Sequence, residues 1–190
     1  MNVEELAIGK HSMYIIEDAI SNEMIESFYN YTQKLPFLKQ ERDNDEDEYP
    51  SFSADLKPKL FETQSPLGKI GREIISSIYP DKDYILFRVA VNLMTRGDME
   101  IPHYDCLPHR DDVTLLYYVN NVWSYEWGGE TLFYLDKDTH FGILPKPGRF
   151  VLFPGIIEHK SGIPSRTCKK VRYTLALKYA SRSNFKKRSN

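Results

Sequence analysis

The stretch TLFYLDKDTHFGILPKPGRFVLFPG, residues 131–155, decides the fold class. In it, short runs of branched and aromatic residues alternate with turn signals at Asp136–Asp138, Pro147-Gly148 and Pro154-Gly155. Glycine, proline and aspartate favour turns because they supply or tolerate backbone angles that regular strands do not use. The pattern therefore predicts short strands joined by tight turns, at about residues 130–135, 141–144 and 149–153.

The same pattern continues on both sides of this stretch. Five more runs are typical of strands, at about residues 85–95, 101–106, 113–119, 156–161 and 171–179. Eight short strands with such turns predict a mainly β protein, a sandwich or jelly roll. Earlier in the chain, Ser21 and Ser65 stand at helix N-cap positions, and Pro36 and Pro80 follow as stops. We therefore expect N-terminal helices, packed on one face of the β structure.

Length and charge limit the classes of function. A chain of 190 residues corresponds to about one domain, so we expect a single domain over residues 1–190, with a helical part at about 1–82 and a jelly-roll core at about 83–180. The net charge of −2 provides no general attraction for nucleic acid or for a membrane surface. Two cysteines without a CxxC pair, and no long apolar run, favour a cytoplasmic protein.

A histidine and a carboxylate stand two residues apart at His103 and Asp105. Alternate side chains of an extended strand share a face, so both side chains point the same way. A third ligand from a facing strand would complete a two-histidine, one-carboxylate triad, which suits Fe(II). The HxD pattern alone is more often a surface turn. His159 follows 54 residues after Asp105, and Arg172 lies in an apolar strand, where a guanidinium requires an anion.

These motifs resemble those of the 2-oxoglutarate- and Fe(II)-dependent dioxygenases, in particular the prolyl 4-hydroxylase type. The resemblance covers about residues 87–179, roughly half of the chain. It rests on the order of six segments: FRVAVNLMTRGDMEIPHYD, VTLLYYVN, WGGETLFY, PKPGRFVLFPG, EHKSGIP and VRYTLALKY. It implies a double-stranded β-helix, the cupin-like form of the jelly roll.

The resemblance also implies a role for each matching residue. His103, Asp105 and His159 match the iron ligands and thereby the catalytic centre. Arg172 matches the residue that binds the distal carboxylate of 2-oxoglutarate, and Tyr118 matches a tyrosine that hydrogen-bonds the same carboxylate. Thr174 shares the strand face of Arg172 and is expected to assist it. Two features depart from the family pattern: Asn92, Leu93 and Met94 stand where many relatives have a tyrosine, and Arg172 follows His159 by a longer turn than in several relatives.

The implied activity is hydroxylation of an unactivated C–H bond with O₂ and 2-oxoglutarate as cosubstrates, releasing succinate and CO₂, with ascorbate as a further expected reductant. The expected substrate is a small molecule or a peptide, with a peptidyl or free amino-acid side chain, such as proline, as the leading class. No nucleic-acid or membrane partner is expected. A relationship to the dioxygenases that demethylate DNA or RNA is left open as an alternative. The alternative function is a non-catalytic cupin-like module that binds a metal or another ligand. The oligomeric state is left open.

An acidic run occupies residues 41–48, between the two predicted helices. Like charges at this density favour a solvated loop. A calcium loop would need glycine at its sixth position, where this run has Glu48. The more useful hypothesis is a flexible segment beside an active site.

Overall fold

The structure, a computed structural model, describes residues 1–43 and 47–182. Within them the strands are β1 (Asn2–Ile8), β2 (His11–Glu17), β3 (Leu38–Glu41), β4 (Ser51–Leu56), β5 (Tyr84–Met94), β6 (Val113–Tyr118), β7 (Thr131–Leu135), β8 (Asp138–Ile143), β9 (Phe150–Pro154), β10 (His159–Ser161) and β11 (Arg172–Ser181). The α-helices are α1 (Asn22–Thr32), α2 (Pro58–Gln64) and α3 (Pro66–Ile78).

The strands form two antiparallel sheets. The large sheet has eight strands in the order β1-β2-β9-β6-β11-β5-β4-β3, and the small sheet has three in the order β10-β7-β8. Neighbouring strands in space are distant in sequence, for example β9 beside β6 and β6 beside β11. This arrangement is the jelly roll that the turn-rich C-terminal half predicts.

The large sheet has a hydrophobic core on each face. One face packs against the helices, through buried residues such as Ile74 of α3 and Leu177 of β11. The other face packs against the small sheet, through residues such as Leu116 of β6 and Phe133 of β7. Because successive side chains of a strand point to opposite faces, every second residue of β5, β6 and β11 points into the space between the sheets.

The expectation of N-terminal helices is wrong as stated. The chain begins with the hairpin β1–β2, and β3 and β4 follow α1, so strands as well as helices make up the first 82 residues. The sequence pattern of β1 indicates a strand only weakly, because β1 is an edge strand in which Ile8 is the one buried residue. The two helices foreseen do form, and Ser21 caps α1 by accepting a hydrogen bond from the Met24 amide at 3.4 Å.

One predicted strand is absent and another is shorter than expected. Residues 101–106 form no strand, and His103 makes an isolated bridge instead. The predicted strand at 156–161 is reduced to His159–Ser161. Pro102 contributes to this difference because proline lacks the N–H group that a strand ladder needs.

We expect Gly68→Ala to destabilise the fold by about 1–3 kcal/mol, the range for overpacking. A Cβ atom at Gly68 would lie 2.1 Å from the carbonyl oxygen of Phe61 and 2.7 Å from the Cα of Glu62, so α3 would have to move away from α2. Urea unfolding measures the change. Gly97→Ala is the matched control, since a Cβ there meets nothing within 4 Å; equal stability of the two variants would contradict the prediction.

Candidate active site

A backbone bridge brings His103 and His159 together, although 56 residues separate them. The His103 amide donates to the His159 carbonyl at 2.9 Å, and the His159 amide donates to the His103 carbonyl at 3.0 Å. Directly opposite residues of an antiparallel pair place their side chains on one face, and the ring centroids lie 4.6 Å apart. The Asp105 amide donates to the Gly155 carbonyl at 2.8 Å, which places the carboxylate beside both rings.

Each imidazole has its Nδ1 next to a backbone carbonyl oxygen. Nδ1 of His103 lies 3.0 Å from the oxygen of Ile101, and Nδ1 of His159 lies 2.9 Å from the oxygen of Ile157. A carbonyl only accepts, so the proton of a neutral ring stays on Nδ1 and Nε2 keeps its lone pair. The Nε2 atoms point towards Asp105, at 3.9 Å from His103 and 3.6 Å from His159.

The Asp105 carboxylate is buried and still ionised. Thr114 Oγ1 donates to one of its oxygens at 2.5 Å, and Lys178 Nζ donates to the other at 2.6 Å. Burial alone would raise the pKa of Asp105, but the Lys178 ammonium and the two histidines hold the pKa well below its usual range. The site therefore presents a charged oxygen donor at neutral pH.

His159 is neutral at the same pH. Burial, the largest influence, lowers the pKa of His159 to about 4, against the attraction of the Asp105 charge. The ring packs against Phe133 and Phe153, with centroid distances of 5.9 and 4.6 Å. A neutral imidazole is the form that binds a metal ion.

The donor atoms of His103, Asp105 and His159 all lie within 4.8 Å of one another. Two imidazole nitrogens and one carboxylate oxygen, each oriented by a backbone or side-chain partner, are the donor set of mononuclear Fe(II) sites with open positions. The residues present therefore fit a ferrous ion. The structure brings together the three residues that the sequence picked out as ligands.

A cavity of about 120 Å³ lies above these three residues, between the two sheets. Arg172 is buried beside it, with 1% of its surface exposed. Its guanidinium donates to the Gly129 carbonyl at 2.8 Å, to Thr131 Oγ1 at 3.0 Å and to Ser161 Oγ at 3.2 Å. Thr131 and Ser161 line the cavity, whereas Arg172 itself does not.

The direct partners of the Arg172 guanidinium are neutral oxygens, and the carboxylates of Glu100 and Glu130 act on its charge from a greater distance. Over residues 1–43 and 47–182, no carboxylate forms an ion pair with its guanidinium. Burial lowers the pKa of Arg172, but guanidinium stays protonated in proteins. A buried cation that contacts only neutral oxygens is a strong binding site for an anion.

Tyr118 and Thr174 differ in their access to the cavity. Thr174 lines it. Tyr118 is 1% exposed, and its hydroxyl lies 2.8 Å from Thr131 Oγ1 and 3.0 Å from the Ile143 carbonyl oxygen, so the protein already occupies its hydrogen-bonding capacity. The Arg172 guanidinium lies 5.6 Å from the Tyr118 ring centroid. Tyr118 thus supports the surroundings of Arg172, and its contact with a cosubstrate stays a prediction.

The acidic segment does reach the cavity. Glu41, Arg42 and Asp43 line it, together with Glu100, while residues 44–46 of this run lie outside the described part of the chain. Asp43 accepts a hydrogen bond from the Ile101 amide at 2.6 Å, and its other oxygen lies 3.3 Å from His103 Nδ1. Burial, followed by the nearby Glu100 charge, raises the pKa of Asp43 to about 6.

Sequence reasoning missed Thr114 and Lys178, the two donors to Asp105. A signal for Lys178 was present, because Arg172, Thr174 and Lys178 are separated by even numbers of residues in one strand and so share a face. No comparable sequence pattern indicated Thr114, because threonine is common in strands and its presence there does not single out a position.

Comparison with known proteins supports the geometry. Residues 89–179 match the sequence model of the 2OG-Fe(II) oxygenase superfamily. The matched segment belongs to this superfamily. Its members use Fe(II) and 2-oxoglutarate with O₂, and the segment includes all six residues that the sequence picked out. No curated protein matches the chain in sequence.

Solved structures with the same fold include several prolyl hydroxylases. A prolyl-4-hydroxylase from Pseudomonas putida is 15% identical, with a TM-score of 0.64 over 91% of this chain and 94% of its own. The viral collagen prolyl hydroxylase of Paramecium Bursaria Chlorella virus-1, solved as a 2OG complex, is 20% identical, with a TM-score of 0.62 over 90% and 97% of the two chains. A Trichoplax adhaerens prolyl hydroxylase, solved with a peptide fragment of hypoxia inducible factor, is 19% identical, with a TM-score of 0.61 over 90% and 84%. At these sequence identities, the similarity to the three solved structures shows a shared fold and nothing further.

Among the described residues, no helix has both the length and the apolar character needed to span a membrane.

We expect Thr114→Val to weaken binding of a divalent metal by about tenfold, in the range for loss of a hydrogen bond to a metal ligand. Valine keeps the shape but removes the hydroxyl that donates to Asp105. Titration with Fe(II) under anaerobic conditions, or with Mn(II), measures the affinity. Thr63→Val is the control because the Thr63 hydroxyl bonds only within α2; the same metal affinity in both variants would contradict the prediction.

Proposed function

We propose that this protein is an Fe(II)- and 2-oxoglutarate-dependent hydroxylase, with His103, Asp105 and His159 as the metal ligands. The observation that carries the proposal is the convergence of these three donors on one cavity, with the buried guanidinium of Arg172 beside it, whose direct partners are neutral oxygens.

The cosubstrate would lie between Arg172 and the metal ligands. The distal carboxylate would lie at the Arg172 end of the cavity. Arg172 supplies the positive charge there, and the hydroxyls of Thr131 and Ser161, to which Arg172 donates, supply further hydrogen-bonding groups. When bound, Fe(II) supplies the O₂ chemistry that couples decarboxylation of 2-oxoglutarate to hydroxylation of a C–H bond. The role of the protein is to orient the reactants and to exclude water. The apolar side chains of Leu116 and Phe153, which line the cavity, favour the exclusion of water.

For the primary substrate we propose a peptidyl or free amino-acid side chain, with proline as the leading case. The prolyl hydroxylases with the same fold, one of them solved with a peptide, support this class. The carboxylates of Glu41, Asp43 and Glu100 at the cavity are compatible with a peptide and less suited to the phosphates of a nucleic acid.

We further propose that the chain acts as one domain in a reducing, cytoplasmic compartment. The N-terminal strands β1–β4 belong to the same sheet as the core strands, which supports one folding unit. Cys106 and Cys168 are both unpaired, which supports the compartment.

We expect His103→Ala to abolish the succinate that the wild-type protein forms from 2-oxoglutarate with Fe(II) and ascorbate, even without a primary substrate, because one metal ligand is lost. Succinate and CO₂ release measure the activity. His140→Ala, at an exposed position of β8, is the control. Undiminished succinate formation in His103→Ala would refute the proposed ligand set, and a wild-type protein that binds ligand without turnover would indicate the cupin-like module.

We expect Arg172→Leu to weaken 2-oxoglutarate binding by about 100-fold, the loss expected from charge-assisted hydrogen bonds to a carboxylate. Metal affinity should stay the same, since Arg172 contacts none of the three ligands. Calorimetric titration of the anaerobic Mn(II) protein measures the binding. Arg172→Lys keeps the charge and should retain part of the affinity; unchanged affinity in Arg172→Leu would place the cosubstrate elsewhere.

A further inference from the structure

Asp43, in the acidic segment, lies against one of the proposed metal ligands. Its Oδ1 atom is 3.3 Å from Nδ1 of His103, and 8% of its side chain is exposed. Its other oxygen accepts a hydrogen bond from the Ile101 amide at 2.6 Å. One oxygen is therefore held by the backbone, and the other lies at the ring nitrogen opposite the Nε2 atom that faces Asp105.

Contacts on both sides of Asp43 along the chain hold it in this position. Before it, Glu41 at the end of β3 forms an ion pair with Arg88 of β5. After it, the Asp47 carboxylate accepts a hydrogen bond from the Asp43 amide at 3.2 Å. The place of the Asp43 carboxylate beside His103 therefore follows from the local fold of the segment.

The two histidines of the site differ in what surrounds Nδ1. Each Nδ1 faces the backbone carbonyl two residues earlier, that of Ile101 for His103 and that of Ile157 for His159. His103 has the Asp43 carboxylate there in addition, whereas the carboxylate partner of His159 in the described ranges lies at Nε2. A carboxylate at an Nδ1–H group fixes the orientation of the ring and raises the basicity of Nε2 as a metal ligand.

We propose that Asp43 is a positioning residue that orients the His103 ring and strengthens its Nε2 atom as a metal ligand. The inference rests on the proposed function, because it takes His103 as a ligand. The donor atoms of Asp43, Glu100 and His103 also lie within 4.8 Å of one another. A second metal ion there is the weaker alternative, because Nδ1 of His103 directs its proton at the Ile101 carbonyl oxygen.

The test compares Asp43→Asn with the wild type in calorimetric titration with Mn(II) at pH 8, above the pKa of Asp43. We expect about tenfold weaker binding, at the lower end of the range for loss of the outer partner of a metal ligand. The asparagine oxygen can still accept from the Ile101 amide, but its NH₂ group then meets the Nδ1–H group of His103, so repulsion replaces attraction. Asp138→Asn is the matched control, because it removes an exposed carboxylate of β8 that does not line the cavity; its Mn(II) affinity should equal that of the wild type.

Proton NMR of the Co(II) protein separates a positioning role from a structural one. Each metal-bound histidine contributes an exchangeable Nδ1–H signal that the metal shifts out of the ordinary range. Asp43→Asn should move the signal of His103 and leave that of His159 in place.

Three results would overturn the inference. The first is an unchanged Mn(II) affinity in Asp43→Asn, whether or not the metal-free variant unfolds at a lower temperature, which would leave Asp43 a structural role alone. The second is a second bound Mn(II) that Asp43→Asn loses, which would make Asp43 itself a ligand. The third is a wild-type protein that binds no Mn(II), in which case the proposed function fails first and the inference fails with it.

Discussion

The site depends on keeping one carboxylate ionised while it is buried. Asp105 is almost completely enclosed, and an isolated charge in such a place would neutralise itself by taking up a proton. The Thr114 hydroxyl and the Lys178 ammonium prevent this, because each satisfies one of the two oxygens. The two histidines then face an anion, and their Nε2 atoms complete a set of donors for a cation.

This arrangement separates the charges of the cavity into two regions. Near Asp105, the lysine charge and the carboxylate balance each other until a metal ion binds, at which point the ion brings an excess of positive charge. At the other end the Arg172 guanidinium contacts neutral oxygens directly, with the carboxylates of Glu100 and Glu130 further away. In the proposed site, a dianion that spans both regions would offset part of the positive charge of each, whereas a neutral ligand would offset none.

The sequence predicted the site better than the N-terminal fold. His103, Asp105 and His159 could be identified because histidine and aspartate in this order are unusual in strands. Arg172 could be identified because a guanidinium in an apolar strand requires an anion. The predicted strand around His103 is absent, yet the side chains of His103 and Asp105 lie at the same cavity, because a bridge of two hydrogen bonds aligns His103 with His159. The even spacing of Arg172, Thr174 and Lys178 placed Lys178 on the cavity face of β11, but its contact with Asp105 depends on how β11 lies against the loop that carries Asp105, which the sequence pattern does not show.

The position of the N-terminal hairpin in the large sheet also has a consequence for the chain as a whole. β2 covers the outer side of β9, and β1 in turn covers β2 with a strand that carries Glu4 and Glu5 on an exposed surface. Without these first seventeen residues, the apolar strand β9 would present unpaired backbone groups to other molecules, which is a template for self-association. The hairpin thus moves the free edge of the large sheet from the apolar β9 to the exposed, acidic β1.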